Sequence, residues 1–83
     1  MSFYVYMIKS ITVGTKKTYV GYSNDVETRL EKHNNNKGAK STKGYKWKLI
    51  YKKKFNTKLR ALKEEYKLKK DYNLRNRIKK NYK

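Results

Sequence analysis

The absence of cysteine is the feature that most limits how this chain can fold. An 83-residue chain without cysteine or proline has no disulfides and no cysteine-based zinc site to stabilise it. His33 is the only histidine, so an imidazole-rich metal site is excluded as well. A chain of this size buries about 60% of its unfolded surface. We therefore expect one domain over residues 1–83 with a small core, to which nine tyrosines and one tryptophan can contribute a large surface per residue.

The net charge restricts the partners of the chain. Lysine and arginine total 24 against 6 acidic residues, which gives a formal net charge of +18. A chain this basic favours a polyanionic partner, and DNA or RNA comes before an anionic membrane surface. The longest apolar run, Phe3 to Ile8, is too short to span a bilayer, and we identify no signal peptide. We expect a soluble cytoplasmic protein without a membrane partner.

Residue patterns predict an α+β fold. Aromatic and β-branched residues indicate three strands, which cover Phe3–Lys9, Thr18–Tyr22 and Trp47–Lys53. Capping residues and apolar periodicity predict three helices: one from Asn24 to about His33, one from Asn56 or Thr57 to about Lys70, and one from Asp71 or Asn73. The order ββαβαα predicts a three-stranded antiparallel sheet flanked by three helices.

Two segments also predict which side chains share a face. In the third strand, Trp47, Leu49 and Tyr51 alternate with Lys48, Ile50 and Lys52, so each set of three should share one face. In the second helix, a spacing of about 100° per residue places the apolar side chains on one broad arc. That arc consists of Leu59, Ala61, Leu62, Tyr66 and Leu68.

Glu65 falls inside the apolar arc of the second helix. A carboxylate in a core-facing position is costly unless it is paired or binds a metal. One interpretation is an ion pair with Lys69, four residues further along the helix. The other is a functional carboxylate that binds a hard cation such as Mg²⁺, which prefers oxygen ligands.

The first helix places Arg29 and His33 four residues apart, so their side chains should project together. An arginine at the rim of an apolar face suits a bidentate contact with phosphate. The alternative is a surface arginine beside a histidine whose hydrogen bonds are satisfied internally. On the first strand, Tyr4, Tyr6 and Ile8 share one face, where tyrosines usually serve as packing residues.

Taken together, these pieces resemble the GIY-YIG nuclease family, and in particular its small stand-alone bacterial members. The strongest match is the segment from Tyr19 to His33, which begins Tyr19-Val20-Gly21 and contains Arg29. The segments Tyr4-Val5-Tyr6, Asn36-Lys37-Gly38-Ala39-Lys40-Ser41-Thr42 and Ala61-Leu62-Lys63-Glu64-Glu65, with Lys69, also match in order. The similarity covers most of the chain, from about Phe3 to Lys70.

The resemblance implies a metal-dependent endonuclease that hydrolyses phosphodiester bonds. Glu65 would hold one Mg²⁺ or Mn²⁺ ion on the scissile phosphate, and Arg29 would neutralise charge that develops in the transition state. Tyr6 would be the general base for the attacking water, with Tyr19 hydrogen-bonding nearby. A phenol with a pKa near about 10 would need that pKa lowered to act at neutral pH. His33 would either shuttle a proton or position a phosphate.

The resemblance also implies an asparagine after the glutamate helix, for which Asn73 and Asn76 are both candidates. A basic and aromatic surface for the nucleic-acid strand is expected from Lys37, Lys40, Lys43, Tyr45 and Trp47. DNA is expected in preference to RNA, with branched or nicked DNA among the candidates and little sequence specificity, and the protein should be a monomer or weak homodimer. A non-catalytic nucleic-acid-binding module on the same fold is the first alternative, and an unrelated basic structural protein is the second.

Overall fold

Three strands and three helices follow one another in the predicted order ββαβαα, in a computed structural model that describes residues 2–81. The elements are β1 (Phe3–Ser10), β2 (Thr18–Ser23), α1 (Val26–Asn34), β3 (Trp47–Phe55), α2 (Lys58–Lys70) and α3 (Tyr72–Asn81). A single 3₁₀ turn, Lys40–Thr42, lies in the loop before β3. Across residues 2–81, no helix combines the length and apolarity that a bilayer crossing requires.

The strands form one antiparallel sheet in the order β2-β1-β3, which confirms the predicted α+β class. The first strand is central, and its residues 4–9 have partners in both neighbouring strands. Tyr6 lies opposite Gly21 of β2 and Lys52 of β3. Because β2 is an edge strand, one side of its backbone has no partner strand.

Apolar side chains cover both faces of the sheet. On one face, α2 and α3 pack on a cluster of Val5, Met7, Val20, Phe55, Ala61 and Leu68. On the other face, α1 packs on a cluster of Tyr6, Ile8, Val26 and Trp47. Side chains along β1 alternate between the two clusters, and Tyr6 belongs to the cluster beneath α1.

Each helix N-terminus is capped by a side chain of the residue before it. In α1 the backbone N–H of Thr28 donates to Oδ1 of Asp25 at 3.2 Å, so the cap lies one residue after the predicted Asn24. The prediction of Asn24 was wrong because the hydroxyl of Thr28 also donates to Asp25, at 2.8 Å, which favours the later residue. Thr57 caps α2 and Asp71 caps α3, and each was one of two predicted alternatives.

A β-bulge overturns the predicted common face of the third strand. Met7 lies opposite Tyr51 and Ile8 lies opposite Leu49, so Ile50 is an extra residue in β3. The bulge changes the side to which the following residue points. As a result Tyr51 packs with the cluster beneath α2, whereas Leu49 packs with the cluster beneath α1.

The second helix faces the sheet with a narrower apolar surface than predicted. Ala61 and Leu68 are buried, but Leu59 is 63% and Tyr66 60% exposed. Helix geometry places Leu59 and Tyr66 nearly opposite Ala61 and Leu68, so the predicted arc was too broad to be buried on one flat sheet. Glu65 remains at the border of the buried face, where its side chain is 17% exposed.

Candidate active site

An open cavity of about 450 Å³ lies beside β1 and β2, between α1 and α2. Tyr6 comes from β1, Tyr19 from β2, Arg29 from α1 and Glu65 from α2, and all four line the cavity. Phe3, Tyr22, Ser23, Asn24 and Lys32 complete its lining. Elements on opposite faces of the sheet therefore bring four of the five predicted catalytic residues to one place. The fifth, His33, lies behind Tyr6.

A chain of buried hydrogen bonds connects Tyr6 with the loop before β3. The Tyr6 hydroxyl lies 2.8 Å from Nε2 of His33, and Nδ1 of His33 lies 2.9 Å from the Thr42 hydroxyl. Thr42 in turn donates to the Ala39 carbonyl oxygen at 2.8 Å. The ring of Tyr19 packs against His33 with a centroid distance of 4.9 Å. His33 is fully buried, and its hydrogen bond to Tyr6 connects it with a residue that lines the cavity.

The direction of this chain assigns the proton positions on His33. A threonine hydroxyl has one hydrogen, and that of Thr42 goes to Ala39, so Thr42 accepts from Nδ1–H of His33. In the neutral ring Nε2 then carries no hydrogen and accepts the Tyr6 proton. Burial, assisted by the nearby charge of Arg29, lowers the pKa of His33, which favours this neutral form.

Burial dominates the acidity of Tyr6 and raises the pKa of its hydroxyl to about 12. Contact with the Arg29 guanidinium acts in the opposite direction but is the smaller influence. The charges of Tyr19 and Glu65 add to the increase. The phenol therefore carries its proton at neutral pH, in contrast to the lowered pKa that a simple general base would need.

Two glycines permit the close packing around Tyr6 and His33. A Cβ at Gly21 would lie 2.5 Å from Oη of Tyr6 and 3.0 Å from the Tyr19 ring. A Cβ at Gly38 would overlap Nδ1 of His33. Neither Gly38 nor Thr42 was singled out as a site residue, although both belong to the loop that matched the family pattern. Sequence reasoning missed them because Gly38 contributes the absence of a side chain and Thr42 contributes a single hydroxyl.

The carboxylate of Glu65 already has a local partner. Its Oε2 lies 3.5 Å from Nζ of Lys69, so the predicted ion pair is present within the same helix. Both interpretations of Glu65 remain compatible with this geometry, since the side chain also lines the cavity. Neither candidate asparagine lines it: Asn73 borders a different cavity, and Asn76 is half-buried on α3.

The residues that line the cavity offer a metal ion few protein ligands. Within residues 2–81 no cluster of three or more histidine, aspartate or glutamate side chains could enclose a metal. Mg²⁺ commonly binds one or two carboxylates, keeps several waters and takes the remaining oxygens from a phosphate. The single carboxylate of Glu65, facing an open cavity, is suited to that kind of substrate-assisted site.

The predicted binding surface is only partly assembled. Lys37, Lys40 and Lys43 are exposed on the loop before β3, and Tyr45 is half-buried with Nζ of Lys17 4.6 Å from its ring centroid.

Trp47 departs from its predicted place on that surface. It is 3% exposed, its indole N–H donates to the Thr42 carbonyl at 3.0 Å, and the Asn34 side chain hydrogen-bonds both its backbone N–H and its carbonyl. A ring enclosed in this way presents no face for a base to stack on, so the prediction for Trp47 was wrong. Trp47 instead anchors the loop that supports His33.

Comparison with known proteins places this geometry in a family. Residues 2–81 match the GIY-YIG catalytic domain. A UPF0213 protein of Staphylococcus saprophyticus is 43% identical over 67 residues, which cover 80% of this chain and 78% of that protein. A UPF0213 protein of Staphylococcus aureus (strain Mu50) is 42% identical over 69 residues, 82% of this chain and 80% of the relative.

A solved structure agrees with the sequence relatives. The solution NMR structure of a UPF0213 protein from Bacillus halodurans is 30% identical, with a TM-score of 0.52, and the alignment covers 94% of this chain and 82% of that one. The family match extends over all the described residues and therefore includes every element that lines the cavity. The chain belongs to the GIY-YIG family, whose catalytic domain is of the nuclease type.

Proposed function

We propose that the protein is a metal-dependent endonuclease that hydrolyses phosphodiester bonds in DNA with little sequence specificity. The observation that carries the proposal is the convergence of Tyr6, Arg29 and Glu65 on one open cavity, each from a different element. A phosphodiester needs a proton acceptor for water, a cation for the phosphate charge and a ligand for a metal ion. These three side chains supply one of each.

Tyr6 and His33 provide a route for the proton of the attacking water. Water donates its proton to Oη of Tyr6 while the Tyr6 hydroxyl proton passes to Nε2 of His33, 2.8 Å away. Tyr6 starts and ends with one proton, so its raised pKa is no obstacle to this exchange. His33 is the net base, and its role is that of a proton shuttle because its complete burial keeps it from a phosphate.

Arg29 and Glu65 act on the phosphate. The guanidinium of Arg29 offers paired donors to two phosphate oxygens and stabilises the charge that accumulates as water attacks phosphorus. Glu65 would hold a single Mg²⁺ or Mn²⁺ ion, which supplies charge stabilisation for the phosphate and the departing oxygen. Lys32, at the cavity wall, adds to the positive potential that attracts the substrate.

The substrate assignment depends on charge and on the open shape of the site. A formal charge of +18 favours a polyanion. The cavity, open to solvent at the sheet edge, can admit a phosphodiester within a long strand. We propose that the substrate is DNA, including nicked or branched DNA. RNA molecules of the same structure serve as comparison substrates.

The second candidate is a nucleic-acid-binding module that does not cleave. The ion pair between Glu65 and Lys69 favours it, because an occupied carboxylate has less need of a metal. The two functions differ in what the substitution of Glu65 changes: catalysis in the first case and only helix stability in the second.

A cleavage assay with matched variants tests the proposal. Nicked, flapped and branched DNA, with RNA counterparts, would be incubated in Mg²⁺ or Mn²⁺ with wild type, Glu65→Gln and Tyr6→Phe. Glu64→Gln and Tyr66→Phe are the controls, since Glu64 lines another cavity and Tyr66 is 60% exposed. Cleavage should fall by about 100-fold or more in the first pair only. Binding without cleavage on every substrate would favour the second candidate, and cleavage that survives both substitutions would exclude this active site.

A further inference from the structure

A second, smaller cavity of about 260 Å³ adjoins the active-site cavity along the edge of the sheet. Its lining consists of Thr18, Tyr19, Val20, Lys69 and Arg75. Tyr19 lines both cavities, so the two are neighbours at β2. No residue of this lining was assigned to substrate contact apart from Tyr19.

Arg75 is held in a fixed orientation at this second cavity. Its Nη1 donates to the carbonyl oxygen of Leu68 at 2.9 Å and also to that of Lys69. These carbonyls lie in the last turn of α2, where the helix dipole favours a cation. A guanidinium carries donors on three nitrogens, so contacts through one nitrogen fix its position while its planar fork remains suited to an oxyanion.

Lys69 lines the second cavity and forms an ion pair with Glu65, which lines the active-site cavity. It lies four residues after Glu65 on α2, about 6 Å along the helix axis, and its ammonium is 3.5 Å from the Glu65 carboxylate. Arg29 and Glu65 thus line the active-site cavity, whereas Lys69 and Arg75 line the neighbouring second cavity. Lys79 on α3 donates through Nζ to the carbonyl oxygen of Lys16 at 3.5 Å, two residues before Thr18.

We propose that the Lys69–Arg75 cavity binds a second backbone phosphate of the same nucleic-acid strand whose scissile phosphate occupies the Arg29–Glu65 cavity. The inference rests on the proposed function for its ligand, but it concerns binding and does not require cleavage. Two phosphate contacts along β2 fix the path of the strand across the edge of the sheet. Phosphate contacts of this kind set register without reading sequence.

The test measures DNA binding without a divalent metal. A fluorescein-labelled single-stranded oligonucleotide would be titrated in EDTA at several salt concentrations with wild type, Arg75→Gln and Arg77→Gln. The Arg77 variant is the control because that residue is exposed on the same helix and loses the same charge. We expect the slope of log K against log salt to fall by about 0.7 for Arg75→Gln, and by clearly less for Arg77→Gln.

A second variant keeps the test decisive if Arg75→Gln loosens the junction between α2 and α3. Thr18→Glu adds a negative charge to the cavity from β2 and leaves the contacts of Arg75 in place. Asn56→Glu adds the same charge before the start of α2, away from the cavity. Thr18→Glu should weaken binding several-fold more than Asn56→Glu, and equal effects would overturn the proposal.

The outcomes separate this inference from the nuclease proposal. If the wild type binds but does not cleave, while both cavity variants weaken binding beyond their controls, the phosphate site stands and the enzymatic proposal fails. If the wild type cleaves but each cavity variant binds like its control, the phosphate site is refuted and the enzymatic proposal stands. Failure of the wild type to bind either DNA or RNA would refute both.

Discussion

The Tyr6 hydroxyl lies 2.8 Å from Nε2 of His33, and neither side chain is more than 1% exposed. The pair joins a cavity that a substrate can enter to a histidine that it cannot reach. A tyrosine whose pKa is about 12 can still transmit a proton when the acceptor behind it is a neutral imidazole.

Thr42→Val should impair catalysis through His33. Valine keeps the shape of threonine but removes the oxygen that accepts Nδ1–H of His33 at 2.9 Å. The buried Nδ1–H would lose its partner, at a cost of about 1–3 kcal/mol in the free energy of unfolding. The ring would also lose the contact that keeps Nε2 facing Tyr6 as an acceptor. We expect kcat to fall more than KM rises.

Thr28→Val is the control for that experiment, because the Thr28 hydroxyl contacts only the exposed cap of α1. Its loss should leave cleavage close to wild type. Equal cleavage by the two variants at matched folded fractions would remove His33 from the proposed proton route.

The pH dependence of stability follows from the lowered pKa of His33. The unfolded chain takes up a proton at this histidine near its ordinary pKa of about 6.5, whereas the folded chain resists protonation until a lower pH. The unfolded state therefore binds more protons in that window. The free energy of unfolding should be constant above about pH 7 and should decrease as the pH falls below about 6.5.

Urea unfolding at pH 7.5, 6.5 and 5.5 measures this dependence, with Trp47 fluorescence as the signal. His33→Gln should be less stable at every pH because it loses the buried imidazole that hydrogen-bonds Tyr6 and Thr42. Its free energy of unfolding should nevertheless change little between pH 7.5 and 5.5. If the free energy of unfolding of His33→Gln changed with pH as steeply as that of wild type, another group would cause the dependence. Asp25, whose carboxyl pKa is lowered by Thr28, would contribute only at lower pH.

Gly21→Ala and Gly14→Ala separate the effect of space from that of backbone strain. The added methyl at Gly21 would lie 2.5 Å from Oη of Tyr6, so either the hydroxyl or the strand must move. At Gly14, where φ is +81°, the methyl meets no atom within 4 Å but the backbone is strained. Strain of this kind costs about 1–2 kcal/mol.

The two variants should therefore both lose stability, but only Gly21→Ala should lose activity at full folding. Thermal unfolding and cleavage rates below the melting transition provide the comparison. A fully active Gly21→Ala would indicate that the position of the Tyr6 hydroxyl does not limit the reaction.

Much of the fold was predictable because local chemistry agreed with the tertiary structure. The run from Phe3 to Ser10 has apolar side chains on both faces, and a central strand that packs helices on both sides needs that pattern. Thr57 and Asp71 are capping residues whose role depends only on the adjacent turn. Such features need no knowledge of distant contacts.

The failures came from features that depend on distant parts of the chain. The bulge at Ile50 is set by the pairing of β3 with β1, so the alternation of apolar residues in β3 did not reveal it. Trp47 was expected to contribute to the basic and aromatic surface for nucleic acid, yet its enclosure depends on Asn34 and Thr42, which come from other segments. The hydrogen bond between Tyr6 and His33 likewise joins residues 27 positions apart.

The ion pair between Lys69 and Glu65 yields a prediction about metal binding. The Lys69 ammonium, 3.5 Å from the carboxylate, competes with any cation for Glu65. Lys69→Gln should therefore bind Mn²⁺ about two- to fivefold more tightly, in line with the modest strength of exposed ion pairs. Electron paramagnetic resonance of free Mn²⁺, without DNA, measures this independently of activity. Lys67→Gln is the control, since Lys67 pairs with Glu64 at 3.8 Å. Equal Mn²⁺ affinity in the two variants would contradict the expected competition between Lys69 and a metal ion for Glu65.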